Sequence, residues 1–225
     1  IDDIDDPFAL IASSEEEGGG GEADVAAWRE ALRRPPTTTT HVNICIVKPD
    51  TRGRGGGSYA ETVLAGKCDP EDGVTPLVGK PTDFVSHAWR YKFRDLVDAI
   101  EADAKEEVAS DAREAGTASL SVRYYWNDIF VEDQNTTESK PEGYFFDAFR
   151  GAVQGIGRTL LVLQPLEAPI PLSRAWCVWE MFCTTESPDC ELRIALPPAE
   201  MAKFDNVLLE GGGAEELLRY VREVN

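Results

Sequence analysis

Histidine is nearly absent: 225 residues contain only His41 and His87. Cysteine is scarce too, at positions 45, 68, 177, 183 and 190, an odd count with no paired ligand spacing. This supply is too thin for a zinc site, and no metal is expected. Nor does it suggest a disulfide framework, so the thiols read as reduced and mostly buried, in a cytoplasmic protein. No apolar run reaches the length needed to cross a membrane. Basic residues are outnumbered, 22 against 41 acidic, for a formal net charge of −19. Such a field repels phosphate polymers and anionic lipid, which argues against nucleic acid and membranes as partners. It leaves room for a single nucleotide in a local basic pocket. The chain opens on Ile1 and reads as a piece of something longer, so the want of a targeting signal carries no weight.

What is present supports a core: 42% of the residues are hydrophobic. Three regions are expected. Residues 1–41 form an acidic extension that ends its first part in Gly18 to Gly21 and then carries a short helix over 22–33. Residues 42–80 form an appendage. Within it Val42 to Val47 alternates apolar and polar side chains and reads as a strand, the 52–57 run of Arg and Gly reads as a flexible loop, and Tyr59 to Leu64 reads as a short helix. That Gly-rich run lacks the Lys-Ser/Thr ending of a phosphate-binding loop.

From residue 81 to 225 the pattern becomes regular. Strands are expected over Thr82 to His87, Leu120 to Val131, Thr159 to Leu163 and Glu191 to Leu196. Helices are expected over Tyr91 to Val108, Tyr144 to Gln154, Leu172 to Thr185, and near 198–208 and 214–223. Strands alternating with helices of this length predict an α/β fold: a doubly wound parallel sheet with helices on both faces.

In such a sheet ligands sit beyond the carboxyl ends of the strands. Three segments occupy those ends: Ser86-His87-Ala88-Trp89-Arg90, Trp126-Asn127-Asp128, and Pro165 to Arg174 leading into Trp176-Cys177-Val178-Trp179-Glu180. Residues four apart share a helix face, so Trp176 sets an indole beside the Glu180 carboxylate. Trp179 falls on a different face and is assigned to the core. Ser86, His87, Trp89, Arg90, Asp128, Trp176 and Glu180 thus form one polar and aromatic set, suited to a nucleotide.

The order of these segments resembles a Toll/interleukin-1 receptor (TIR) domain, in a divergent form, over about residues 81–200. Such domains open with a Phe-x-Ser-type turn, here Phe84-Val85-Ser86-His87, and carry a second strand ending near an acid, here Trp126-Asn127-Asp128. A mobile loop and a Gly-led helix follow, here Gly143-Tyr144-Phe145-Phe146-Asp147-Ala148-Phe149. An apolar strand, Leu160-Leu161-Val162-Leu163, leads to Trp-Cys-x-x-Glu at Trp176 to Glu180. The loop after Asp128 departs from the pattern in being long and acidic.

The resemblance implies a flavodoxin-like sheet and, in catalytic members, hydrolysis of the nicotinamide–ribose bond of NAD+, with NAD+ as substrate and no cofactor. Glu180 matches the family's catalytic glutamate. The implied substrate contacts are Ser86, His87, Trp89, Arg90, Asp128 and Trp176, in a site completed by homo-oligomer contacts. One carboxylate suffices in principle, because nicotinamide leaves as a neutral molecule and the oxocarbenium-like ribose needs only a nearby negative charge. Two other readings stay open: a non-catalytic self-association module, and a thiol hydrolase built on Cys177 and His87, which requires the two side chains within hydrogen-bond reach.

Overall fold

Among the described residues four short strands make the sheet, and their side chains alternate between two apolar faces. A computed structural model describes residues 37–115 and 122–209. The acidic segment 1–21, the helices expected over 22–33 and near 214–223, and the first two residues of the 120–131 strand lie outside the described residues. The strands are β1 (Asp83–Ser86), β2 (Tyr125–Trp126), β3 (Arg158–Val162) and β4 (Glu191–Ala195). All pair in parallel, in the order β2-β1-β3-β4. This is the expected doubly wound, flavodoxin-like α/β arrangement, with the strand order reversing between β1 and β3.

Successive strand residues face opposite ways. Val85, Leu160 and Val162 point to one face, where Leu96, Ala99 and Ile100 of a long helix cover them. Phe84 points to the other face and packs with Val153 and Cys183. Phe84 also stacks on Trp126 with ring centroids 4.6 Å apart. Burying each large apolar side chain contributes about 2–3 kcal/mol.

The helices, in chain order, are α1 (Thr39 to Thr51), α2 (Ala60–Leu64), α3 (Phe93–Ala115), α4 (Asp128–Val131), α5 (Tyr144–Ile156), α6 (Ala175–Glu186) and α7 (Pro198–Leu209). Helix α5 stops at Gly157, whose φ of +82° suits glycine and lets its N–H bond the Val153 carbonyl at 2.9 Å. Helices α3 and α7 share one face of the sheet, and α5 and α6 share the other.

Two expectations are corrected. The strand expected over Val42 to Val47 is part of α1, an α-helical turn (Thr39–Val42) continued through a wide π-helical turn (Asn43–Val47) into a second α-helical one (Lys48–Thr51). Thr38 caps it, its side chain accepting from the His41 N–H at 3.2 Å. Val42 and Val47 are buried against Ile129, and this packing outweighs the strand preference of β-branched residues. Of the strand expected over Leu120 to Val131, the described residues form strand only at Tyr125–Trp126. Asn127 ends it by accepting from the Ile129 N–H and starting α4. The apolar Ile129 and Phe130 then face α1 and α2 rather than extending the strand.

At the amino ends of the strands lies a buried ionic cluster. Asp83, fully buried, receives hydrogen bonds from Arg123 and from Arg158, and both arginines also pair with Glu107. Asp103 pairs with Arg193 at 2.7 Å.

Candidate functional site

At the opposite, carboxyl end of the sheet the chain makes a cleft of about 330 Å³. It lies where strand order reverses, the position expected for a ligand in this architecture. β1 delivers His87, Ala88 and Trp89 to its wall; β2 delivers Asp128; β3, through the following loop, delivers Arg174, Trp176, Cys177 and Glu180.

The Glu180 carboxyl is buried, 7% exposed. Ser86, the last residue of β1, donates its hydroxyl to Glu180 Oε2 at 2.5 Å. Ser86 faces α6 for the same reason Phe84 does, because residues two apart on a strand share a face. Helix α6 is held down by Thr184, whose hydroxyl bonds the Glu180 carbonyl at 2.8 Å and lies 2.8 Å from the Thr159 hydroxyl of β3. Removal from water pushes the Glu180 carboxyl up to about 8, opposed by the Ser86 hydrogen bond and reinforced by the negative charge of Asp128.

Asp128 accepts a hydrogen bond from Trp89 Nε1 at 2.8 Å and another from the Ile129 N–H at 2.8 Å. Burial raises its pKa, with His87 pulling the other way. His87 is buried as well. Desolvation lowers its pKa, so the ring favours its neutral form, while Asp128 and a hydrogen bond to the Val85 backbone oppose the shift. Trp176 is 40% exposed and lines the cleft edge-on to Phe149, with centroids 5.6 Å apart. Trp179 is half-buried against Phe84, Val153 and Cys183.

The structure therefore brings together five of the seven site residues named from sequence as cleft lining: His87, Trp89, Asp128, Trp176 and Glu180. Ser86 stands behind Glu180 as its hydrogen-bond partner. Arg90 is exposed and lies outside the lining; Arg174 and Lys48 are the cationic side chains on the wall. Arg174 was within reach of sequence reasoning, since it directly precedes the Trp176/Glu180 helix. Asn43, Lys48 and Gln134 were not. The first two come from α1, which carried no site signal and was assigned to the appendage. Helix α1 reaches the cleft because its leading turn is tied to the segment after β1: the Thr39 N–H bonds the Tyr91 carbonyl and the Thr40 N–H the Trp89 carbonyl, each at 3.1 Å.

The Cys177 thiol donates to the His87 backbone carbonyl at 3.4 Å, not to the imidazole. Burial pushes this thiol up to about 12, with the Glu180 charge adding to the rise. It is a neutral, buried group rather than a nucleophile, and the thiol-hydrolase reading loses its geometry. Among the described residues there is no group of side chains that could hold a metal ion, and no helix is long and apolar enough to cross a membrane.

Comparison with protein-family models, with curated proteins and with solved structures finds no match to this chain.

Proposed function

We propose that the chain is an NAD+ glycohydrolase of TIR-like type, with Glu180 as its catalytic carboxylate and NAD+ or a related nucleotide as its substrate. The observation that carries this reading is the buried Glu180 carboxyl in an aromatic-walled cleft, with no cationic side chain bonded to it among the described residues. A carboxyl tied into an ion pair has a structural use. One held by a single hydroxyl beside an open cleft bears its desolvation cost without such a return, which marks it as a functional group.

The volume suits the nicotinamide–ribose half of the substrate, with the diphosphate toward Lys48 and Arg174 and the rest outside. Trp176 and Trp89 offer flat faces to its rings. In the unliganded cleft Glu180 holds its proton at neutral pH. The pyridinium charge of an arriving NAD+ favours the ionised form, so substrate itself charges the acid. The C1′–N bond then breaks, its electron pair leaving with neutral nicotinamide. The carboxylate stabilises the oxocarbenium-like ribose, and water adds at C1′ to give ADP-ribose and a proton.

The test is nicotinamide release from NAD+, followed by chromatography, for the wild type beside Glu180→Gln. A loss of at least ~100-fold is expected, in line with removal of a transition-state charge contact. Equal turnover by the two proteins removes Glu180 from the mechanism.

A second reading, self-association without catalysis, is favoured by one observation. Phe146, Trp176, Trp179 and Phe182 form a continuous aromatic run, and Phe146, Trp176 and Phe182 are each at least 40% exposed. Such a patch suits a protein interface. Absence of turnover even in assembled protein supports this reading; turnover that rises with assembly joins the two.

A further inference from the structure

Two buried polar atoms of the cleft wall have no hydrogen-bond partner: Asn43 Oδ1 and His87 Nε2. Both residues line the cleft, and they are only 3% and 6% exposed. An unpartnered buried acceptor costs about 1–3 kcal/mol, so such atoms call for an explanation.

Their chemical sense is fixed by their neighbours. Gln134 Nε2 donates to the Asp128 backbone carbonyl at 3.0 Å, and a carbonyl can only accept. Gln134 must therefore turn Oε1 toward Asn43, whose Nδ2 donates to it at 3.0 Å. Asn43 Oδ1 is left over, and it is an acceptor. The His87 ring is held neutral by burial, and its hydrogen bond goes to the Val85 backbone, which favours the protonated ring and is therefore an acceptor. One ring nitrogen carries the proton for that bond, so Nε2 presents a lone pair. Gln134 links Asn43 to the Asp128 backbone carbonyl, and His87 is near enough to Asp128 for each to shift the pKa of the other.

We infer that Asn43 Oδ1 and His87 Nε2 receive the N–H bonds of a neutral primary carboxamide, so that the cleft selects nicotinamide-type ligands over the matching carboxylic acids. This rests on the proposal that the cleft holds the nicotinamide end of its substrate. A primary amide carries two N–H bonds on one nitrogen and lies flat beside the aromatic walls. A carboxylate at the same place sets its lone pairs against two acceptors, with Asp128 and Glu132 also on the wall. Lys48 and Arg174 also line the cleft, and they favour the acid. Selection against it therefore reports the local acceptors rather than overall charge.

The experiment titrates the full chain with nicotinamide, nicotinic acid and N,N-dimethylnicotinamide, followed by ligand-observed NMR. The dimethyl compound is neutral and keeps the carbonyl but has no N–H. Nicotinamide is expected to bind at least ~10-fold tighter than either, the scale of a buried acceptor left unpaired. Asn43→Leu is expected to erase most of that preference; Asn43→Ala serves beside it, with a thermal melt of each to establish that it folds. Equal affinity for the three ligands overturns the inference. So does undiminished selectivity in both folded variants, or no binding of any ligand, the two atoms then holding an ordered water only. Amide-selective binding without nicotinamide release from NAD+ sinks the hydrolase reading alone. Equal release from NAD+ and its nicotinic-acid analogue sinks the amide reading alone.

Discussion

Ser86 and Glu180 lie 94 positions apart in sequence, yet the Ser86 hydroxyl donates to the Glu180 carboxyl at 2.5 Å. This bond joins the end of the first strand to the helix after the third. Among the described residues it is the one polar contact that opposes the desolvation of the acid. The properties of the cleft follow largely from it.

Stability should fall in alkali because of Glu180. Its carboxyl is raised from 4.5 in the unfolded chain to about 8 in the fold. A raised pKa gives stability that is complete below the unfolded value and is lost as pH climbs to the folded one. The loss is on the order of 5 kcal/mol in full, and about 1 kcal/mol of it falls between pH 7 and pH 9. Urea unfolding at those two pH values should show it in the wild type. Glu180→Gln, which has no proton to lose, should be flatter across that interval. A wild type as stable at pH 9 as at pH 7 contradicts the raised pKa.

Ser86→Ala removes the one hydroxyl that lowers the Glu180 pKa. The unpaired carboxyl should cost about 1–3 kcal/mol of stability at neutral pH. The alkaline loss seen for the wild type should move to still higher pH. The measurement is the same urea series; an unchanged pH profile argues that the bond does not form.

Asp83 anchors the far end of the sheet. It is fully buried and holds both Arg123 and Arg158. Asp83→Ala leaves two guanidinium groups short of their counter-charge, and breaking a buried ion pair costs about 3–5 kcal/mol. The effect should appear as a lower urea midpoint with an unchanged slope. Ligand binding by whatever protein stays folded should be little altered, since the cluster and the cleft occupy opposite ends of the strands.

Cys177 should be unreactive. With its thiol pushed up to about 12, almost none is thiolate at pH 8. Iodoacetamide should label the exposed Cys68 first and leave Cys177 untouched until the protein unfolds, as read by peptide mass spectrometry. Nicotinamide release, if present, should survive Cys177→Ala to within a few-fold. Abolition of turnover in a folded variant would restore the thiol to consideration.

The alternation of strand and helix after residue 81 was legible because each element carries its own period. Leu160, Leu161 and Val162 form an apolar run that suits a strand buried on both faces, and the spacing of Phe93, Leu96, Val97 and Ile100 suits a helix covering one of them. The placing of Trp176 and Glu180 on one wall also follows from local geometry, since four residues make about one helical turn. Val42 to Val47 misled for the same reason. Its alternating pattern fits a strand, but a pattern records only which residues prefer burial, not what buries them, and here Ile129 does so from 87 positions beyond Val42.

What the sequence determined by itself was therefore a parallel α/β sheet, its two apolar faces, and the end of it where the cleft opens. What only the tertiary structure decided was the partner of each polar atom. The Ser86–Glu180 bond, the Gln134–Asn43 contact across 91 positions and the arrival of Lys48 at the cleft each join distant segments. Periodicity arises from the geometry of one helix or strand and can be read along the chain. Hydrogen-bond complementarity and desolvation arise between elements, and they exist only once those elements have packed.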